Sequence, residues 1–414
     1  MRYYIHYKEI WMMEKALNYI DIFAGCGGLS TGLLNAGWHG VFAVEKNVDA
    51  FSTLKYNLID NVSHFLWPKW LSLEAHDINE LISKNKSALE GLRGRVTLVA
   101  GGPPCQGFSM AGKRDANDQR NKLVDSYIQF IKLVAPEVII FENVHGFTVN
   151  FKSKNATEPY SSFVEKTLIE EGYRVAYNIV DMSLYGIPQN RKRFILIAMK
   201  NHDPKRVFAT LEKNRETFCR SKGINCRTSV YEAIGDLEKS YGTVASPDSK
   251  GFAAGIYGPV QSGYQKLMRK KTPEITKIAD SHRFVNHRQD TIMLHNELLR
   301  TAPKGKRITP ADGTVENLNR RGVTVLDPNS QSPTITSIPD ELVHYCEPRI
   351  LTVREHARIQ SFPDWFKFQG KYTSGGKRRK QEVPRYTQVG NAVPPLFAEQ
   401  IGLAIKEVLK ENEQ

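Results

Sequence analysis

Four short segments contain residue types that could do chemistry. Cys105 sits in Gly101-Gly102-Pro103-Pro104-Cys105-Gln106-Gly107-Phe108-Ser109. A cysteine between a rigid Pro-Pro pair and a glycine packs poorly but is well presented as a nucleophile. Its thiolate would be the reactive form, which asks for a partly exposed, electropositive setting. A buried, inert cysteine in a tight turn is the alternative. Glu142-Asn143-Val144 closes the apolar run Glu137–Glu142. A carboxylate there needs a reason, because burying an unpaired charge is costly. A general acid with a raised pKa is one reason, and a satisfied structural carboxylate is another. Gln189-Asn190-Arg191-Lys192-Arg193-Phe194 aims basic groups at the same edge.

The fourth segment, Asp21–Leu29, places a glycine-rich turn (Gly25, Gly27, Gly28) between a strand and a helix. Glycines there let backbone approach a ligand at a helix N-terminus. Ser30 stands where a dinucleotide fingerprint needs its third glycine, so that reading fails. Glu45 ends the next strand, where an acid suits ribose hydroxyls. Glycine turn and acid together fit an adenosine-containing cofactor, and a purely structural turn is the alternative.

These segments need a scaffold, and the first half of the chain predicts one. Asn18–Phe23, Val41–Glu45, Arg95–Ala100, Glu137–Glu142 and Phe194–Met199 read as strands. Leu29–Ala36 and Asn121–Val134 read as helices between them. Short apolar strands alternating with helices predict an α/β, doubly wound, mostly parallel sheet with functional turns at the strands' carboxyl ends. After about residue 203 the pattern degrades, and residues 240–350 show no sustained period. Leu396–Leu409 regains helical spacing and is expected to return to the first sheet. Five divisions follow: an extension over 1–18, a catalytic and cofactor-binding domain over 19–203, a smaller irregular domain over 204–345, a hinge and basic loop over 346–387, and a returning segment over 388–414. The run Gly375–Lys380 reads as a basic loop.

Composition narrows the classes. The 414 residues are 41% hydrophobic and 24% charged, as in ordinary globular proteins. No run approaches a membrane span, and the N-terminus has no apolar core for a secretory signal. Five cysteines do not make a disulfide scaffold, so a reducing cytosol is expected. The net charge of +13 lies in the second half: residues 204–345 and 349–387 each carry +7. That half is expected to meet a polyanion, or else is merely a basic surface. His282, His287 and His295 with Cys346, and Cys219 with Cys226, fit no common zinc spacing, so no metal is expected.

Taken in order, the four segments resemble those of the cytosine-C5 DNA methyltransferases. Arg349–Asp364 (RILTVREHARIQSFPD) and Gln388–Pro395 (QVGNAVPP) extend the resemblance to the C-terminus. It implies the S-adenosylmethionine-dependent methyltransferase fold, with S-adenosyl-L-methionine as cofactor and double-stranded DNA as substrate. By this resemblance Cys105 is the nucleophile for cytosine C6, Glu142 engages N3 and the exocyclic amine, and Arg193 and Arg191 orient the base and bind nearby phosphate. Phe23, Gly25, Gly27, Gly28, Glu45, Asp77, Ile78, Pro104, Leu123, Asn391 and Val393 match cofactor-lining positions. The family often has Trp after the ribose acid, where this chain has Lys46, so adenine stacking is expected to rest on Phe23 and Ile78. Residues 204–345 resemble the target-recognition domain, and Gly107–Arg114 a loop that closes over DNA.

With 20 residues before the first motif, the stand-alone prokaryotic type found beside restriction endonucleases is expected. The cognate endonuclease would be a functional rather than a physical partner. A cytoplasmic monomer, nucleoid-associated through DNA, is expected. The related tRNA methyltransferases lack so long a variable region and carry a Cys-Phe-Thr element absent here. A non-catalytic DNA-binding module would leave Cys105, Glu142 and Arg193 idle, and a nicotinamide oxidoreductase would leave the Cys105 turn unexplained.

Overall fold

The computed structural model describes residues 17–104, 122–148, 159–312, 318, 322–374 and 382–411. The first half forms β1 (Asn18–Ile22), α1 (Gly28–Asn35), β2 (His39–Val44), α2 (Val48–Leu54), α3 (Ile78–Lys84), α4 (Lys86–Glu90), β3 (Leu98–Gly101), α5 (Lys122–Val134), β4 (Val138–Val144), α6 (Tyr160–Glu170), β5 (Arg174–Asp181) and β6 (Lys192–Met199). The strands make one sheet in the order β2-β1-β3-β4-β6-β5. From β2 to β4 they pair in parallel, and β6 runs antiparallel between β4 and β5. Only ten residues join β5 to β6, too few for the crossover that a parallel neighbour needs. The strand expected over Phe194–Met199 is therefore present but reversed.

Alternate side chains of each strand enter opposite cores, the two-residue period of a sheet covered on both faces. Tyr19, Ala43, Leu98, Ala100, Ile140 and Ile197 join Leu33 of α1 on one side. Ile20, Ile22, Phe42, Val99, Phe141 and Leu196 join Ile78 of α3 and Tyr127 of α5 on the other.

The second half is built from shorter pieces: α7 (Lys205–Ser221), α8 (Val230–Ile234), β7 (Thr243–Ala245), β8 (Ala253–Ile256), α9 (Gly263–Arg269), β9 (Ile278–Arg283), α10 (Gln289–Thr301), β10 (Arg307–Ile308), β11 (Val323–Val325), β12 (Leu342–Val343), α11 (Val353–Ile359), α12 (Arg385–Asn391) and α13 (Pro395–Lys410). They include two three-stranded sheets, β7-β8-β9 and β10-β11-β12. Strands of two to six residues are too short to show a period, which is why this half reads as irregular. Helix α13 returns to lie on α1 so closely that a Cβ on Gly32 would stand 2.3 Å from the Ala398 side chain. Helix α7 packs on α13, so the stretch counted from residue 204 begins with a helix held by the first half's own covering layer.

A buried charge network holds α11 in place. Arg349 pairs with Glu355 at 2.7 Å and Glu347 at 2.5 Å. Arg358 pairs with Asp364 at 2.5 Å and Asp236 at 3.3 Å, and Arg354 with Asp280 at 3.2 Å. Arg349, Arg354 and Arg358 are all buried. Three of the basic residues counted over 349–387 are therefore spent inward, and the +7 of that stretch overstates the charge it offers to a polyanion.

Candidate active site

Strand register brings the four motifs to one edge. Ile22 pairs with Val44 on one side and with Gly101 on the other, and Gly101 pairs with Phe141. The residues that follow, Phe23, Glu45, Gly102 and Glu142, thus form a row at the carboxyl ends of four parallel strands, the edge at which open α/β sheets hold ligands.

At the β1 end of the row Phe23, Gly25 and Gly27 have φ of 61°, 56° and 93°. Left-handed backbone at Phe23 costs on the order of 1–2 kcal/mol. Such strain concentrates at ligand sites. A Cβ on Gly25 would meet nothing within 4 Å, so its backbone is bare toward open space. The Glu45 carboxylate accepts from the Gly25 amide at 2.9 Å and from the Asn47 amide at 2.7 Å. Burial raises its pKa, and those two N–H groups oppose the rise. Asp21, to which the sequence reading gave no role, is buried behind the turn and accepts from Ser30 Oγ at 2.5 Å. Burial pushes its carboxyl up to about 7 against that hydrogen bond, with Glu45 adding to the rise. The signal for Asp21 was a charged residue inside an apolar strand.

The neighbouring cofactor candidates surround the same turn. Asp77 caps α3, accepting from the Asn79 amide at 2.8 Å, and its other oxygen pairs with Lys46 at 2.8 Å. Lys46, set aside in the sequence reading, is therefore tied to the site. Ile78 is buried in the cluster against which half-buried Phe23 packs. Leu123 and Val393 are half-buried, and Pro104 and Asn391 are exposed. A Cβ on Gly28 would stand 2.5 Å from the Val393 carbonyl oxygen, so the Gln388–Pro395 block abuts the N-terminus of α1. Bare glycine backbone, an anchored acid and flanking apolar groups fit an adenosyl ligand.

On the other side of the row, Arg193 Nε lies 3.1 Å from Glu142 Oε1, and both side chains are 14% exposed. Burial pushes the Arg193 pKa down and Glu142 opposes it. A Cβ on Gly102 would come within 2.7 Å of Glu142 Oε2, so this glycine makes room for the acid. Asn143 donates to the Pro103 carbonyl at 3.3 Å, tying the end of β4 to the turn that precedes Cys105. Cys105 itself lies outside the described residues, as do the segments 107–114 and 375–380.

One assignment is corrected. Arg191 is 1% exposed, and burial lowers its pKa, with the Arg193 charge adding to the fall and that of Glu142 opposing it. Its guanidinium donates to the carbonyls of Ile335, Gly390 and Ala392, so it has no free donor surface for a base or phosphate. Cys26, the other motif cysteine, is buried and donates to the Gln388 carbonyl at 3.5 Å. Burial pushes its thiol pKa up, away from reactivity. Among the described residues no group of three or more His, Cys, Asp or Glu could hold a metal ion. No described helix is long and apolar enough to cross a membrane.

Comparisons agree with this geometry. The family described as C-5 cytosine-specific DNA methylase matches residues 17–407. The type II methyltransferase M.DdeI of Desulfomicrobium norvegicum is 32% identical, over 92% of this chain and 87% of that protein. M.XorII of Xanthomonas oryzae pv. oryzae is 29% identical, over 95% and 85%. Among solved structures, a DNA modification methyltransferase encoded within a prophage (E. coli) superposes with a TM-score of 0.67 at 23% identity, covering 95% of this chain and all of that one, which speaks for the fold. The chain belongs to the C-5 cytosine-specific DNA methylase family and is a DNA (cytosine-5-)-methyltransferase that draws its methyl group from S-adenosyl-L-methionine.

Proposed function

We propose that the protein methylates C5 of one cytosine within a specific short duplex sequence, by flipping the base and forming a Cys105–C6 adduct. The observation that carries this reading is the Glu142–Arg193 pair, held against the Gly102 backbone one strand from the Pro-Pro turn. S-Adenosylmethionine supplies an electrophilic methyl group. The residues around the Gly25 turn, Glu45 and Asp77 would hold it, with Phe23, Gly27, Gly28, Ile78, Pro104, Leu123, Asn391 and Val393 lining its pocket.

C6 is out of reach inside a base stack, so the cytosine must leave the helix first. Cys105, its thiol proton lost to solvent, adds through Sγ to C6, and the electrons of the C5=C6 bond move through C4 to N3, which takes a proton from Glu142 in its acid form. Arg193, oriented by Glu142, holds the base. C5 then takes the methyl group as N3 returns its proton to Glu142, and S-adenosylhomocysteine leaves as the neutral thioether. Loss of the C5 proton to solvent and departure of Sγ restore the double bond and free the enzyme.

Residues 204–345 serve as target-recognition domain, linked through 346–387 to the returning segment 388–414, with 19–203 catalytic and 1–18 an extension. Phosphate contacts from the basic half would give affinity, and base-edge contacts specificity. The protein would act as a cytoplasmic monomer that protects host DNA from a cognate restriction endonuclease, a setting in keeping with its likeness to type II methyltransferases. Incubation with mixed-sequence duplex DNA and S-adenosylmethionine, read by base-resolution bisulfite sequencing, tests the reading. Protected cytosines confined to one motif are expected. Absence of protection while DNA still binds would overturn it and turn attention to tRNA.

A further inference from the structure

Arg191 is a buried cation whose hydrogen-bond partners, among the described residues, are carbonyls, with the Glu142 carboxylate acting on it only through its charge. Nη1 donates to Ile335 at 3.4 Å, and Nη2 to Gly390 at 3.3 Å and Ala392 at 3.0 Å. Nε is also buried and has no hydrogen-bond partner among the described residues. Fully buried arginines are normally paired with carboxylates, as Arg349 and Arg358 are here. The exception therefore asks for a reason beyond stability.

The three acceptors belong to parts of the chain with separate tasks. Ile335 lies in the second half. Gly390 and Ala392 flank Asn391 beside the N-terminus of α1. Arg191 itself is two residues from Arg193. Gln189 spans the same junction: its Oε1 accepts from the Ile335 amide at 3.1 Å and its Nε2 donates to the Ile359 carbonyl at 3.2 Å. The Asn190 amide donates to Ser332 at 2.8 Å, so residues 332–335 run alongside the approach to β6.

We infer that Arg191 is a positioning residue: a buried latch that sets the second half, the methyl-donor site and the Glu142–Arg193 pair relative to one another, so that DNA and methyl donor bind with coupled affinities. The inference rests on the reading of Glu142–Arg193 as base pocket and of Asn391 as part of the donor site. A shift of Ile335 when DNA loads must move the guanidinium, and with it the carbonyls on either side of Asn391. The unpaired Nε–H gives the junction a second arrangement to adopt, since any shift that supplies an acceptor is favoured over one that does not.

The test uses the full chain and calorimetric binding of S-adenosylhomocysteine, with and without a duplex carrying the mapped target. In the wild type the duplex is expected to tighten that binding about tenfold, within the ~5–150-fold range of coupled sites. In Arg191→Lys and Arg191→Gln the coupling should fall to about twofold or less, while each separate affinity stays within about threefold of wild type. Coupling retained in both variants would overturn the inference. So would joint loss of both affinities with a lowered melting temperature, which marks a merely structural arginine. A DNA-binding salt slope reduced by about one with coupling intact would mark a phosphate contact and also overturn it. Wild-type protein that binds both ligands without coupling defeats the latch alone, whereas wild-type protein that binds neither defeats the underlying site reading.

Discussion

The sheet core and the ground around α11 are equally buried and built on opposite terms. In the sheet, Ile20, Val99, Ile140 and Leu196 lie in clusters of buried hydrophobic side chains. Around α11, buried Arg349, Arg354 and Arg358 meet the buried carboxylates Glu355, Asp364 and Asp236 and the half-buried Asp280. An apolar core degrades gradually when trimmed. An ion network gains little over a hydrophobic replacement, yet it fails sharply when one member is lost, because the remaining charge cannot be solvated. The sheet is thus a tolerant platform, and the α11 network is a brittle clasp that ties together segments of the second half.

The largest effect should come from the edge and leave both buried regions untouched. Cys105→Ala is expected to abolish methyl transfer while DNA binding survives, and residual turnover in a single-turnover assay would remove Cys105 as nucleophile. Glu142→Gln should slow transfer severely with S-adenosylhomocysteine affinity nearly unchanged, and a near-normal rate would take Glu142 out of the mechanism.

Next in size is the clasp. Arg358→Ala removes the cation shared by Asp236 and Asp364, leaving Asp236 to Arg269 and Asp364 to Tyr257 and the more distant Arg354, and is expected to cost about 3 kcal/mol in urea unfolding. The sheet change Ile140→Val should cost only ~0.5–1.5 kcal/mol. Equal losses would erase the contrast between the regions.

Acid should separate them more gently. Burial lowers the pKa of His282 and His356 to about 4 and that of His344 to about 3, and all three lie in or beside the clasp. Their unfolded pKa is about 6.5, so the unfolded chain binds more protons between there and the folded values. The stability they contribute is complete above that pH and is lost as pH falls toward 4. In the sheet, His64, lowered by burial to about 4, acts the same way. Asp21, raised to about 7, acts oppositely, disfavouring the fold as pH rises from about 4 to 7. Amide exchange at pH 7 and pH 5, corrected for intrinsic rates, should show protection falling more over 278–283 and 353–359 than over β1–β4. A uniform fall would refute the assignment. Glu355 and Asp364 add a later loss: burial raises their pKa but the arginines outweigh it, holding both at about 2, so their contribution disappears only between about 4 and 2.

Much of the sheet and its edge was legible in the linear chain. Apolar strand runs, the Gly25–Gly28 turn, the Pro-Pro turn and Glu142 at the end of such a run are local patterns, and register then placed them side by side. Tyr177 and Ile179 of β5 are exposed at the sheet's border, so that strand lacked the apolar signature and was missed. Asn143 stood in a quoted motif, but its hold on Pro103 depends on a residue 40 positions away.

The chain by itself determined which side chains are available for nucleophilic addition, proton holding and cofactor anchoring, because those demands fall on residue type and short spacing. Only the tertiary structure decided how each charge is used. Arg191 and Arg193 are two residues apart and alike in sequence. One is drawn inward by the carbonyls of Ile335, Gly390 and Ala392, and the other is left beside Glu142. The arginines of α11 counted toward a basic stretch, but Asp236 and Asp280 come from 122 and 74 residues away to pair with Arg358 and Arg354. The energy of a charge depends on its partners and on its distance from water, and both are properties of the fold.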